Sequence, residues 1–304
     1  MSANKLDTVF MAKRLREASA SYYGGGKPTM SDAEYDALEA ALLKLDPKHP
    51  VFAEVGSPPS SGWPKVTHPI TMGSLAKVQD LSQLESWAPP TKGTDWCITE
   101  KMDGISILLT YKNGTLVRAA TRGDGLMGED ITRNVRVMKG VLTTLPTVSR
   151  GEFHIRGEII CKKSDFLREF AGDGYSNPRN TASGTAKRHS GWQKCRHLTV
   201  YAYNLFCPST TQFFHAGTVL VPVEPLTTSR HAELSLLEKW GFNTPSCAVV
   251  WDPSPSRGGL VNKLAETQVI YHRYVNGLRE GRDYEIDGLV VEVDYTDARE
   301  HLGT

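Results

Sequence analysis

The sequence has no excess of charge of either sign, no closely spaced cysteine pair and no long hydrophobic run. Across its 304 residues, 35 Lys and Arg offset 34 Asp and Glu, so net charge alone does not indicate a polyanionic partner. None of the five cysteines belongs to a C-x-x-C pair, which argues against a structural zinc site and a disulfide framework. The N-terminal segment, MSANKLDTVFMAKRLREASA, lacks the continuous apolar core of a secretory signal or membrane span. We predict a globular cytoplasmic protein with reduced thiols and no membrane partner.

The first 65 residues are predicted to form a small helical domain. Apolar residues recur at helical spacing before the turn-rich segment at Gly24, and a second helical pattern runs from about Ser31 to Leu45. Ser31 followed by Glu34 is the signature of a capping box at the start of that second helix. Proline, glycine and serine are frequent between residues 47 and 66, which indicates a linker and a domain boundary near Lys65.

Residues 66–304 show a different periodicity, one typical of strands. Short runs rich in Val, Ile and Tyr cover residues 106–111, 116–121, 153–161, 199–206 and 289–293. Asn113-Gly114 between the first two runs predicts a hairpin turn. Helices are predicted over residues 164–170 and 231–241. The second domain is therefore expected to be an α+β fold built on antiparallel sheets.

The segment Lys101-Met102-Asp103-Gly104 is the strongest candidate for chemistry. A lysine amine becomes a nucleophile where nearby charge or desolvation favours its neutral form. Taken alone, the segment is equally compatible with a solvated lysine at the edge of a strand followed by a simple turn. Other motifs have to decide between the two interpretations.

Several further motifs follow in order along the chain. They are ATRGDG at Ala120 to Gly125, GEDIT-x-NV at Gly128 to Val135, RGE at Arg156 to Glu158, NPRN at Asn177 to Asn180, the Tyr201-Ala202-Tyr203 strand, and IDG at Ile286 to Gly288. Together with the lysine motif, this series resembles the adenylation region of the NAD-dependent DNA ligases of bacterial type, over nearly the whole chain. The resemblance implies an antiparallel-sheet nucleotidyltransferase domain, ATP-grasp-like, at residues 66–304, and a helical domain at residues 1–65 that binds the nicotinamide mononucleotide (NMN) half of NAD.

The resemblance also implies a mechanism. Lys101 would attack the adenylyl phosphorus of NAD, expel NMN and form lysyl-AMP, with Mg²⁺ offsetting charge on the phosphates. Asp103 and Glu158 would orient the lysine and the AMP ribose, and Tyr203 would stack on adenine. The implied catalytic residues are Lys101, Asp103, Arg122, Glu158 and Asp287. The implied cofactor-binding residues are Tyr22, Asp32, Tyr35, Asp36, Ser74, Leu75, Glu100, Lys101, Arg122, Glu158, Tyr203, Arg279 and Glu292. No dedicated metal ligands are assigned.

The stretch from Tyr175 to Val223 contains no acidic residue and several basic ones, so it can face phosphates. Acids from elsewhere in the chain could equally well pair with it. Within the resemblance, Arg179, Lys187 and Arg188 are the expected DNA contacts. Nicked DNA is then the expected substrate of the complete enzyme.

Three positions depart from the family pattern. Thr99 stands where the family usually has Glu, Glu292 stands where it usually has Lys, and Tyr23 stands where many relatives have His. We expect Glu292 or Glu100 to accept a hydrogen bond from the adenine amino group in place of the missing Glu.

The family continues beyond the position of Thr304 into an OB domain and further units. The chain alone is therefore expected to perform only self-adenylation, as a monomer, with a separate C-terminal ligase polypeptide as a candidate partner. Two alternatives stay open: an ATP- or GTP-dependent RNA ligase or capping nucleotidyltransferase, and a non-catalytic nucleic-acid-binding remnant of a ligase.

Overall fold

Two antiparallel helices form the N-terminal part of the protein. A computed structural model describes residues 3–24, 29–54, 62–88, 95–145, 148–207, 212–215, 218–220, 229–251 and 257–295. Helix α1 (Ala3–Gly24) packs against α2 (Asp32–Leu45) through a small core that includes Leu15 and Leu42. The predicted capping box is confirmed: the Ser31 amide donates to Glu34 Oε2 over 2.7 Å, and the Glu34 amide donates to Ser31 Oγ over 3.3 Å.

Strands dominate the rest of the described chain. They are β1 (Lys65–Thr67), β2 (Trp96–Met102), β3 (Ile105–Lys112), β4 (Thr115–Thr121), β5 (Met127–Glu129), β6 (Val148–Arg150), β7 (Glu152–Cys161), β8 (Leu198–Phe206), β9 (Gln212–His215), β10 (Thr218–Leu220), β11 (Cys247–Val250) and β12 (Ile286–Val293). The further helices are α3 (Leu81–Trp87), α4 (Thr132–Val135), α5 (Lys163–Asp165), α6 (Pro178–Ala186), α7 (Arg230–Trp240), α8 (Arg257–Arg273) and α9 (Arg279–Gly281). Short 3₁₀ or π segments cover Pro50–Ala53, Phe166–Phe170, Trp192–His197 and Tyr274–Leu278.

All strand pairs in the described sheets are antiparallel, which together with the helices confirms the α+β class. The largest sheet has the order β4-β3-β7-β8, and a second has the order β11-β2-β12. The chain passes from β2 in one sheet to β3 in the other through Asp103 and Gly104. This crossing places the candidate lysine where two sheets meet.

The main core lies on one face of the β4-β3-β7-β8 sheet. Ile107, Phe153 and Ile155 are fully buried there beneath α6 and α7. Because side chains alternate along a strand, the neighbouring residues Ser106 and Glu158 lie on the opposite face. Apolar side chains therefore cover one face of the sheet, and the polar side chains of Ser106 and Glu158 lie on the other.

Two of the three irregularities in the described strand pairing carry residues of the candidate site. Asp287 lies between the pairs Ile286–Met102 and Gly288–Lys101 and has no partner in the register of β12 with β2. Tyr203 occupies the same kind of position in β8, opposite β7. Such bulges redirect side chains, and both of these carry residues of the candidate site.

The predicted strands and the second predicted helix, at α7, are confirmed, and so is the hairpin turn, since Asn113 and Gly114 have φ values of 50° and 76°. Residues 164–170 form a short helix followed by a π turn rather than one regular helix. Helix α6 was not predicted from the NPRN motif. No described helix is long and apolar enough to cross a membrane.

Candidate active site around Lys101

The Lys101 amine is held by a single carboxylate. Its Nζ donates to Asp287 Oδ2 over 2.5 Å, and the two side chains are 47% and 35% exposed. The bulge in β12 brings Asp287 beside Lys101. In a regular strand with the same register, Gly288 alone would lie opposite the lysine. The lysine therefore combines access from solvent with a proton acceptor at hydrogen-bonding distance.

Asp103 lies behind the lysine in a drier environment. It forms an ion pair with Arg179 of α6 in which the side chains are 17% and 10% exposed. Burial raises the pKa of Asp103, as does the nearby Asp287 carboxylate, while Arg179 opposes the rise. A Cβ on Gly104 would lie 2.2 Å from the Ile159 carbonyl oxygen, so the chain can turn away from β2 there only with glycine.

The expectation that Arg179 contacts DNA phosphates does not fit this position. The residue as a whole is only 8% exposed, and its guanidinium already pairs with Asp103. A phosphate at the surface could reach it only after that pair was broken and the resulting buried charge compensated. Arg179 belongs structurally to the lysine site.

A second polar group lies on the open face of the β3–β7 pair. Ser106 Oγ donates to Glu158 Oε2 over 2.9 Å, and the Arg122 amide donates to the Ser106 carbonyl over 3.1 Å. Burial raises the pKa of Glu158 to about 7, although Ser106, Arg179 and Arg122 oppose the rise. Burial, followed by the proximity of Glu158, also raises the pKa of the Tyr203 hydroxyl, whose ring lies at the bulge of β8.

The loop after β4 is fixed by its glycines and by a histidine. Gly123 has φ +57°, and a Cβ there would lie 1.8 Å from the Met127 carbonyl oxygen. The His68 ring lies 3.0 Å from the Arg122 carbonyl oxygen and ties the segment after β1 to this loop. The Arg122 backbone thereby lies beside Ser106, and its charge opposes the rise in the pKa of Glu158.

Glu100 and Glu292, the two expected adenine contacts, occupy different surroundings. Glu100 is 8% exposed and accepts hydrogen bonds from Tyr284 (2.6 Å) and Arg282 (2.7 Å), on the side of β2 away from Lys101. Glu292 pairs in register with Cys97, four residues before Lys101, and so shares the face of the lysine. Glu292 Oε2 lies 2.9 Å from Nε of the buried Arg230.

The residues expected to contact NMN are placed only in part. The Asp36 carboxylate accepts from Lys77 Nζ over 2.8 and 2.7 Å, which joins α2 to the segment that carries the exposed Ser74 and Leu75. The Tyr35 hydroxyl lies 3.3 Å from Ser19 Oγ. The side chains of Tyr22 and Asp32, and that of Tyr23, lie outside the described part of the structure.

The remaining basic candidates pair with acids from other segments. Lys187 Nζ lies 3.5 Å from Glu129, and Arg188 donates to Asp173 over 2.9 Å. Lys194, in the same acid-free stretch, also pairs with Asp173. Arg279 is exposed in α9. Lys187, Arg188 and Lys194 thus pair with acids that lie outside the acid-free stretch.

Two residues of this region were not predicted from the sequence. Ser106 hydrogen-bonds Glu158, and Arg230 anchors Glu292. Ser106 lies two residues after Gly104 in a predicted strand, so strand alternation could have identified it. Arg230 offers no comparable signal because it comes from a helix start more than sixty residues before Glu292.

Comparison with known proteins identifies the family of this chain. A family model described as the NAD-dependent DNA ligase adenylation domain matches residues 60–304, and one described as the DNA ligase-like N-terminal NAD⁺-binding domain matches residues 4–61. The chain belongs to the NAD-dependent DNA ligase family. Its match to the first of these models covers both sheets that meet at Lys101.

Individual relatives within the NAD-dependent DNA ligase family are moderately similar. The chain is 40% identical to a DNA ligase of Sorangium cellulosum over 96% of its own length and 42% of the relative's. It is 34% identical to a DNA ligase of Treponema denticola over 94% of its length and 42% of the relative's. The chain thus spans about two fifths of these relatives. A solved ATP-dependent DNA ligase of bacteriophage T7 in complex with ATP aligns with 71% of this chain and 61% of its own, at 15% identity and a TM-score of 0.31.

Proposed function

We propose that this chain catalyses the first step of NAD-dependent DNA ligation, in which Lys101 takes AMP from NAD and releases NMN. The observation that carries the proposal is the Lys101–Asp287 contact at the meeting of two sheets, within a chain of this family. In the same proposal the domain boundary lies near Lys65, and residues 1–65 bind the NMN half of NAD while residues 66–304 bind its adenylyl half.

The step requires a neutral amine. Asp287 Oδ2 accepts the proton that Lys101 Nζ must lose, because it is 2.5 Å away. The nitrogen then forms a bond to the α-phosphorus of NAD, and the bond from that phosphorus to the NMN oxygen breaks. The Arg179–Asp103 pair fixes the chain immediately after the lysine and so limits the positions that Nζ can take.

The polar face of β3 and β7 suits a nucleoside. In this proposal Glu158, oriented by Ser106, accepts from a ribose hydroxyl, and the Arg122 guanidinium, which opposes the rise in the pKa of Glu158, meets phosphate oxygens. The Tyr203 ring offers a surface on which adenine can stack.

We propose Glu292, rather than Glu100, as the acceptor for the adenine amino group. Glu292 shares the face of Lys101, whereas both Glu100 oxygens already accept hydrogen bonds from Tyr284 and Arg282. A Glu292→Ala variant that remains folded should lose NAD affinity by about tenfold or more, since a buried amino group would lack its partner. Unchanged NAD affinity in that folded variant would remove Glu292 from the site.

We propose that Mg²⁺ binds at this site together with the substrate phosphates. The described residues contain no group of three or more His, Cys, Asp or Glu side chains that could hold a metal. Mg²⁺ commonly keeps several waters and binds through one or two carboxylates together with phosphates, and Asp287 is the carboxylate nearest the amine. The ion would supply charge neutralisation on the phosphates when bound.

The helical hairpin is proposed to select NAD over ATP. The Lys77–Asp36 ion pair holds α2 near the segment of Ser74 and Leu75, which brings the hairpin towards the main domain. In the complete enzyme, AMP would pass to a 5′-phosphate of nicked DNA before sealing. Nicked DNA as substrate is part of the same proposal.

Intact-protein mass spectrometry tests the function. The protein is first treated with excess NMN and Mg²⁺ to remove any resident AMP, then incubated with NAD and Mg²⁺. We expect the mass of one AMP to be added to the wild-type protein and to a Lys112→Ala control, in which an exposed lysine of β3 is removed. A Lys101→Ala variant should gain nothing.

Three outcomes would count against the proposal. An adduct that persists in Lys101→Ala would place the nucleophile elsewhere. Adduct formation with ATP in place of NAD would favour the ATP-dependent alternative. If NAD binds to the folded protein in calorimetry without forming an adduct, the chain is a binding module rather than a self-adenylating unit.

A further inference from the structure

Two of the five cysteines face each other across neighbouring strands. Cys97 of β2 pairs in register with Val249, and Cys247 of β11 pairs with Thr99, so the cysteines are diagonal neighbours on one face of the sheet. Their sulfur atoms are 3.0 Å apart. A disulfide bond is about 2.05 Å long, so the sulfurs need to approach by only about 1 Å.

The two thiols differ in access to solvent. Cys97 is completely buried, whereas Cys247 is exposed. Cys247 also borders a cavity of about 270 Å³ whose walls include His231, Ser246 and Glu238. A small electrophile can therefore reach Cys247 from solvent, whereas Cys97 is accessible only to the Cys247 sulfur beside it.

Charge around the pair favours a thiolate at the exposed position. The hydrogen bond from Cys97 lowers the pKa of Cys247 to about 7, and a further hydrogen bond from His231, in the first turn of α7, acts in the same direction. Burial of Cys247 and the nearby Asp294 oppose this shift. The pKa of Cys97 is raised by its bond to Cys247 and by burial, although Arg230 opposes the rise.

We propose that Cys247 and Cys97 form an oxidation site that closes to an intramolecular disulfide when a peroxide enters the cavity. The Cys247 thiolate attacks one peroxide oxygen, the O–O bond breaks, and the leaving hydroxide takes a proton to become water. The Cys97 sulfur then attacks the resulting Cys247 sulfenic acid, forms the S–S bond and, with its own proton, releases the hydroxyl group as a second water. Two thiols are oxidised and one peroxide is reduced.

The other three cysteines lack this combination. Burial raises the pKa of Cys161 and Cys207 to about 12 and that of Cys195 to about 11. The lower pKa of Cys247 gives it the larger thiolate fraction at pH 7, so it is expected to react with a peroxide before these three thiols. The disulfide would tie β11 to β2, the strand that carries Lys101.

The test is peroxide titration of the reduced, folded protein. After one equivalent of hydrogen peroxide at pH 7, remaining thiols are alkylated and the protein is digested without reduction. We expect the protein to lose two hydrogen atoms in mass and to give one linked peptide pair that contains Cys97 and Cys247. A Cys97→Ala variant should instead stop at a Cys247 sulfenic acid that reacts with dimedone.

A Cys207→Ser variant is the matched control, since it removes a thiol outside the pair and should oxidise at the wild-type rate. Cys247→Ser should slow peroxide consumption relative to both the wild type and Cys207→Ser. If Cys97→Ala fails to fold, the identity of the two linked peptides from the oxidised wild-type protein is sufficient to test the proposal. Oxidation that starts at Cys207, or a disulfide that excludes either Cys97 or Cys247, would overturn the proposal.

Discussion

Replacing Arg179 with methionine should destabilise the protein, because it leaves Asp103 buried without its cation. Removing one partner of a buried ion pair costs about 3–5 kcal/mol. Asp103 can limit that cost by taking up a proton. Neutralising a carboxyl group with an ordinary pKa of about 3.9 at pH 7 costs about 4 kcal/mol, at about 1.4 kcal/mol per pH unit. The free energy of unfolding should therefore fall by up to about 4 kcal/mol at pH 7.

The same reasoning predicts a pH dependence with a definite sign. Burial already raises the pKa of Asp103, and loss of Arg179 raises it further. A folded-state pKa above the unfolded value favours the protonated form in the folded protein, so the destabilisation is absent below about pH 4 and grows as pH rises. At pH 5, neutralising Asp103 costs only about 1.5 kcal/mol, so the loss of unfolding free energy should not exceed that value.

Urea unfolding at pH 5 and pH 7, followed by circular dichroism, measures both values. Arg118→Met, which removes an exposed arginine on β4, serves as the control and should leave stability unchanged. Adding Asp103→Asn to Arg179→Met should restore most of the loss at pH 7, since neither charge then remains. An equal loss at both pH values, or none, would refute the buried-pair assignment and return Arg179 to the surface role that its motif suggested.

Three further substitutions separate the roles of the carboxylates. Asp287→Asn should slow lysyl-AMP formation by about 10²- to 10⁴-fold in a single-turnover mass assay with little change in NAD affinity, and an unchanged rate would exclude it as proton acceptor. Because the pKa of Glu158 is raised to about 7, calorimetry on Lys101→Ala protein should give tighter NAD binding as pH rises from 6 to 8. That trend should vanish when Glu158→Gln is added. Glu100→Gln should lower the unfolding free energy by about 1–3 kcal/mol through its bond with Tyr284, and a parallel loss of NAD affinity would place Glu100 in the base pocket.

Local signals were sufficient for most of the fold. The capping box at Ser31 and the Asn113-Gly114 turn are decided by a few neighbouring atoms, and both are confirmed. The long strands at β3, β7 and β8 follow from alternation of residues that bury one face. Helix α6 was missed even though its start was readable: Asn177 caps it, accepting from the Asn180 amide, and Pro178 occupies its first turn.

The basic stretch after Tyr175 was harder to interpret, because composition shows which charges are present but not their partners. Arg188 and Lys194 both pair with Asp173, just outside the acid-free stretch, while Lys187 pairs with Glu129. Such pairs depend on how α6 and the following turn pack against the sheet. The run of one charge sign therefore did not reveal these ion pairs, and contact of Lys187 and Arg188 with DNA stays a prediction.

The site itself depends on the irregularities that sequence patterns describe least well. Strand alternation assumes that every residue has a partner, yet Asp287 and Tyr203 are the extra residues of two bulges. Without the first bulge, the residue before Gly288 would point away from Lys101, and the amine would have no carboxylate at 2.5 Å. Deleting Asp287, which would restore regular pairing to β12 with Gly288 opposite Lys101 and no carboxylate beside the amine, should therefore abolish lysyl-AMP formation while leaving the sheet folded. Retained self-adenylation in that deletion variant would show that the bulge does not position the base.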